Sequence, residues 1–328
     1  MNDTQVRYKG VMLKIGAIML IFVGLLEVLM SGYGVITAVA YEVTDDVVAL
    51  DVISSILYDA AYLASFMLPA AFALLLFRKK ERQPMRFQPK ASLDTFAFVF
   101  VVVTCIYAFS YINSYAVSAI IGDYTVDDIF YYAPEYTSDY GVVLNFITIA
   151  LVPAFCEEFL FRGVVLSHLM PYGKSTAIVV SSICFGLMHS NFQQFLYTTV
   201  AGILLGLVYV ITDSIWPSTI IHMLNNAITI LQAVIFERMA YDYAVIAWMI
   251  VNCVIFTLGI ISGVYLIIKY KRGNVNNELD EGYVSRDALI CGAAELPAES
   301  AAKGFFSVTM IIFVCYSIFG AVMRLFVV

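Results

Sequence analysis

Long apolar runs dominate this chain and leave it few ways to fold. Residues 11–40, 52–77, 93–121, 140–169 and 244–268 each hold only a few charges. Every one of these runs reaches or exceeds the roughly 20 apolar residues that carry an α-helix across the ~30 Å hydrocarbon core of a bilayer. In that core the backbone N–H and C=O groups find no water, so a single apolar segment satisfies them by coiling into a helix. The rest of the composition agrees. Charged residues are 13% of the chain, against about 25% in soluble domains, hydrophobic residues are 62%, and mean hydropathy is +0.88. An all-α, polytopic membrane protein is expected, with room in 328 residues for roughly eight or nine spans. No Gly-rich phosphate loop follows a strand pattern, and no basic–aromatic stripe suits nucleic acid, so no nucleic-acid partner is expected.

The spans are expected at about 11–40, 52–77, 93–121, 140–169, 175–189, 195–211, 215–236 and 244–268, an eight-helix core. A ninth is expected at 305–328. The first run ends in Ala38-Val39-Ala40, which resembles a peptidase cleavage site, but it far exceeds the 7–15 residues of a signal core and reads as an uncleaved helix. Basic residues gather at Arg7–Lys14, Arg78–Lys90, Lys174 and Lys269–Arg272, while 41–51 and 122–139 are acidic. By the positive-inside rule the basic segments and the N-terminus are cytoplasmic. The expected organisation is therefore N-terminal helices over 1–139, a core over 140–240, an eighth helix in 241–272, a polar acidic linker over 273–303 and a final helix over 304–328. The six cysteines stand singly with no C-x-x-C spacing, which favours small buried hydrophobes over a metal or redox site. Gly202-x-x-x-Gly206 and Gly259-x-x-x-Gly263 read as close helix packing. Glu27 in the first run reads as a polar contact to a neighbouring helix.

Inside the fourth run, Glu157, Glu158 and Arg162 place three charges within six residues. Ionisable groups at membrane depth are costly, face the protein interior and mark function. Glu158 and Arg162 are i and i+4 and share a helix face, so they should pair, while Glu157 projects about 100° away toward a cavity. Of the three histidines, His189 shares a face with Phe185 and His222 with Asn226, again at i, i+4. His168, near the turn at Pro171, reads as a solvated interfacial residue. A carboxylate beside an imidazole can take a proton from water and return it to a leaving amine. A His and an Asn on one face can donate to a developing oxyanion. With neither G-x-S-x-G nor H-E-x-x-H in the chain, acyl transfer to an activated water is the natural chemistry: peptide-bond hydrolysis in the membrane.

Glu157-Glu158-x-x-x-Arg162, Phe185-x-x-x-His189 and His222-x-x-x-Asn226, in that order on separate spans, resemble the CAAX-processing and bacteriocin-processing (Abi, Rce-like, CPBP) intramembrane glutamic endopeptidases. The resemblance covers about 140–240. It implies that Glu157 activates the water with help from His189, that His222 and Asn226 form the oxyanion hole, and that Glu158, Arg162 and Phe185 support the site. It implies no metal or other cofactor, a protein or peptide substrate, lipidated or not, and contact with membrane lipids. Together with the basic-inside pattern it points to a bacterial plasma membrane. Two other readings stand beside it. One is a zinc protease with Glu157 or Glu158, His189 and His222 as ligands; the other is a non-catalytic immunity scaffold or proton-coupled transporter. Span counting puts His189 near the outer end of its helix but Glu157 and His222 nearer the inside, so either the fifth span is offset or re-entrant or the span boundaries lie several residues from those given.

Overall fold

The structure, a computed structural model, describes residues 3–79, 81–89, 91–121, 138–276 and 297–326. The acidic, tyrosine-rich stretch 122–137, most of the expected linker (277–296) and Cys291 lie outside the described residues. Among the described residues there are helices and no strands. In chain order they are α1 (Asp3–Val43), α2 (Val47–Leu76), α3 (Leu93–Ile121), α4 (Asp139–Tyr172), α5 (Lys174–Met188), α6 (Phe192–Thr212), α7 (Ile215–Arg238), α8 (Tyr241–Asn276), α9 (Ala298–Phe305) and α10 (Val308–Phe326). Seven of them, α1–α4 and α6–α8, are long and apolar enough to cross a membrane. The chain is a multi-pass, all-α membrane protein.

The expected fifth span exists as a shorter element. At 15 residues, α5 extends about 22 Å at 1.5 Å per residue, less than the hydrocarbon thickness. It starts at the basic end, at Lys174, and stops at His189; Ser190 then takes positive φ (46°) in the turn to α6. The depth of that turn is marked by Asn113 of α3, whose Nδ2 donates to the Gln193 carbonyl at 2.9 Å. Asn113 lies eight residues short of the end of α3, so the α5–α6 hairpin tops out roughly 12 Å below it. The offset that the histidine positions demanded is therefore a short helix.

Small residues let α5 and α6 touch. Gly202 of α6 lies against the Ser182 backbone, where an added Cβ would be 3.1 Å from its Cα. Gly186 of α5 is tighter: a Cβ would run into the Thr199 hydroxyl and sit 2.9 Å from the Phe195 carbonyl oxygen. A backbone atom cannot rotate away, so Gly186→Ala must push the helices apart. We expect a loss of about 1–3 kcal/mol, as for other overpacked cores, read as a lowered melting temperature in detergent.

α4 carries the charged stretch and is irregular. Two wide-turn π segments, Phe146–Leu151 and Phe159–Leu166, bracket about two regular α-helical turns, Val152–Glu158. Pro153 contributes to the first: it has no N–H to offer the carbonyl four residues earlier, that of Ile149. The freed oxygen accepts from Asn226 Nδ2 of α7 at 3.0 Å. Pro153 thus creates an acceptor inside the bundle instead of a simple kink. π-turns of this kind recur at functional sites.

The basic end is tied together by residues 77–89. Ile215 N donates to the Arg86 carbonyl at 2.8 Å, Ser214 Oγ to the Gln88 carbonyl at 2.6 Å and Trp216 Nε1 to the Phe87 carbonyl at 2.7 Å, with Arg86 paired to Asp213. Lys14 of α1 reaches Glu81 at 2.7 Å, and that hydrogen bond holds the Glu81 carboxyl below the usual carboxylate range. A depressed folded value means that the contribution is present above the unfolded pKa, near 4.3, and is lost as pH falls through the folded one. Glu81→Gln should therefore cost well under about 1 kcal/mol at pH 7 and leave stability unchanged at pH 3, checked by thermal unfolding at the two pH values.

α9 and α10 pack on α1. Thr309 Oγ1 donates to the Leu13 carbonyl at 2.9 Å, Gln5 to Ser300 at 2.8 Å, and Tyr316 Oη bonds Glu27. The polar contact expected of Glu27 is thus to the C-terminal helix. Two sequence readings are corrected. His168 is not solvated but buried: its ring stacks on Phe77 (centroids 3.9 Å apart) and its Nδ1 lies 2.8 Å from the Val164 carbonyl. Phe77, at the end of α2, covers it. Of the five described cysteines, Cys156 and Cys184 are buried, but Cys105, Cys253 and Cys315 are exposed on helix faces. There a small apolar side chain suits a hydrocarbon surroundings as well as a core.

Candidate active site

The acid pair sits at the end of the regular turn of α4, where α2, α5, α6 and α7 converge. Glu158 is 0% and Arg162 1% exposed. Arg162 Nη1 lies 2.8 Å from Glu158 Oε1, as the i, i+4 spacing requires. The guanidinium also donates to the Gly202 carbonyl at 3.1 Å and stands 4.8 Å over the Phe185 ring. A charged pair at this depth needs such geometry, since its mutual attraction otherwise fails to offset desolvation. Gly202 is part of that: without a side chain it lets α6 bring a carbonyl within reach of α4.

His222 of α7 stands between the two acids. Its Nδ1 is 3.1 Å from Glu158 Oε1 and its Nε2 is 3.7 Å from Glu157 Oε2. A carboxylate only accepts, so Nδ1 carries the hydrogen and Nε2 is the ring atom facing Glu157. Phe185 lies edge-on to both histidines, with centroid distances of 5.3 Å to His189 and 5.9 Å to His222. His189 Nδ1 is 2.9 Å from the Phe185 carbonyl. That oxygen can only accept, so Nδ1–H is the donor and Nε2 keeps its lone pair in the neutral ring, the tautomer of a proton acceptor.

Asn226 is oriented by a chain of bonds. Tyr197 Oη donates to Asn225 Oδ1 at 2.8 Å, and Asn225 Nδ2 reaches Asn226 Oδ1 at 3.3 Å. Asn226 Nδ2 spends one N–H on Ile149; an amide nitrogen has two.

Sequence reasoning missed the partner of the central acid. Tyr62 of α2 donates to Glu157 Oε1 at 2.5 Å, and one turn away Asp59 accepts from Thr148 of α4 at 3.2 Å. Asp59 was the available signal, an acid at mid-length in the second apolar run. Glu157 Oε2 and Asp59 Oδ1 are buried without a hydrogen-bonding protein partner; such atoms are where bound water or substrate belongs.

A zinc site would need three ligands from Glu157 or Glu158, His189 and His222. Among the described residues no three His, Cys, Asp or Glu side chains are placed to share an ion. In addition, Glu158 is already matched by the Arg162 cation, which opposes a dication beside it.

Residues 139–228 match the model of the Rce1-like family, described as type II CAAX prenyl endopeptidase Rce1-like. A protein of Bacillus subtilis (strain 168) named "Putative membrane peptidase YdiL" is 28% identical over 94 residues, covering 28% of this chain and 38% of the relative. The match thus spans well under half of that relative's length. No solved structure gives a significant match. Residues 139–228, which carry the acid pair, Arg162, Phe185, both site histidines and Asn226, are thus the part of this multi-pass membrane protein that is similar to the Rce1-like family.

Proposed function

We propose that this protein is an intramembrane endopeptidase in which Glu157 is the general base. The supporting observation is the division between the two acids. Both acids keep a buried Oε2 without a hydrogen bond, but Glu158 is matched by the Arg162 cation and bonded by His222, whereas the hydrogen bond to Glu157 comes from the neutral Tyr62. Water held at Oε2 loses a proton to Glu157 as its oxygen attacks the scissile carbonyl, and the proton then passes to the departing amine. His189, with Nε2 as its acceptor, assists that transfer. The tetrahedral oxyanion accepts from the second N–H of Asn226 and from the ring of His222, which Glu158 orients. The substrate is a protein or peptide that reaches the site within the membrane. The description of the matching family directs the first trials to prenylated C-terminal cysteine peptides. The basic clusters support a cytoplasmic N-terminus, and a relative from Bacillus subtilis fits a bacterial plasma membrane.

The test is cleavage of a quenched-peptide library, prenylated and plain, by the detergent-purified protein. Cleavage is expected to be unaffected by prolonged chelation and absent in Glu157→Gln. Activity that stops on chelation and returns with zinc would replace this mechanism with a metal-dependent one.

A further inference from the structure

The matched segment begins at residue 139, yet the shortest hydrogen bond to Glu157 comes from outside it. α2 and α4 run side by side in the same direction, and three polar rungs fix their register. Tyr140 Oη donates to Asp51 at 3.0 Å, Thr148 Oγ1 to Asp59 at 3.2 Å and Tyr62 Oη to Glu157 Oε1 at 2.5 Å. The Tyr62 ring is itself held in a stack, with Tyr58 5.9 Å away on one side and Phe66 4.8 Å away on the other. Phe66 in turn packs against Phe22 of α1 at 4.6 Å. The hydroxyl therefore has little freedom, and it is aimed at one carboxylate oxygen of an acid that is 4% exposed.

We propose that Tyr62 is the positioning residue for the catalytic glutamate. It saturates Oε1 and so dedicates Oε2, the atom facing His222, to the water. This rests on the reading of Glu157 as base. A carboxylate free to rotate would present either oxygen to the substrate at random. A charge-assisted bond to a fixed phenol removes that freedom, and small misplacements of a reacting group cost up to about a hundredfold in rate. The role falls on kcat, because Tyr62 acts through Glu157 and leaves the surface that meets the peptide unchanged.

The experiment compares wild type, Tyr62→Phe, Tyr111→Phe and Glu157→Gln on the best peptide of the library described above. Tyr111, on α3 and bonded to Asn252, controls for loss of a phenol elsewhere. Expected are a kcat about tenfold to a hundredfold lower for Tyr62→Phe with KM within about twofold, and no change for Tyr111→Phe. Tyr62→Phe with wild-type kcat, or an equal fall in Tyr111→Phe, overturns the assignment. Full activity in Glu157→Gln overturns instead the reading on which it rests. A substrate-free measurement accompanies it: thermal unfolding of Tyr62→Phe, of Glu157→Leu, which removes the acceptor of the bond, and of the double variant. Non-additive losses are expected of a bonded pair; additive ones would show that no such bond orients Glu157.

Discussion

Glu157→Gln should remove cleavage almost completely while the protein inserts and folds as before. The amide keeps the size of the side chain and its carbonyl oxygen can still accept from Tyr62, which bonds Oε1 in the native protein. What the amide lacks is a basic oxygen at the second position. Loss of a positioned general base costs roughly 10² to 10⁴ in rate, so residual turnover should lie close to background. Stability should move little, since the Gln keeps both the volume of the acid and the bond from Tyr62. The measurement is initial rate on a cleaved peptide beside the melting temperature of the same preparation. Wild-type rate in a folded Glu157→Gln protein would end the glutamate mechanism.

Arg162→Met should damage the fold itself. The methionine fills much of the space, so the effect is electrostatic more than volumetric. Glu158, with no exposure at all, would lose its guanidinium, and the Gly202 carbonyl and the Phe185 face would lose their cation. Breaking one side of a buried pair costs about 3–5 kcal/mol because an uncompensated charge stays behind. Removing the stranded charge as well, in Glu158→Gln/Arg162→Met, should recover part of that loss. Recovery is the diagnostic outcome, since two independent lesions would add. Arg162→Lys should recover little, because an ammonium cannot bond Glu158 and Gly202 in a planar fork and stack on Phe185 together. Melting temperature and elution as a single detergent-solubilised species would report all three variants.

Much of this was legible in the chain. Glu158 and Arg162 are neighbours on one helix, so the 3.6-residue period alone places them in contact. The same period pairs Phe185 with His189. Asn226 and His222 share a face for the same reason, yet the period says nothing of the carbonyl that Asn226 reaches. The missing N–H of Pro153 is legible in the chain. The partner that satisfies the Ile149 oxygen instead lies 77 residues on. His168 misled because proximity to a turn was taken for proximity to water; packing against Phe77 decides otherwise.

The amino-acid sequence by itself determined that this protein is a set of membrane helices and that one of them carries an acid pair and an arginine. Each follows from local rules: the length of an apolar run, the cost of a charge in hydrocarbon and the angle between successive residues. Only the tertiary structure decided that His222 would stand between the two acids and that Tyr62 would hold Glu157. Those contacts join residues 64 and 95 positions apart, and the physical reason is general. Periodicity orients a side chain about its own helix axis. Which helix stands opposite is set by how small residues such as Gly186 and Gly202, and polar rungs such as Asp59–Thr148, let whole helices pack.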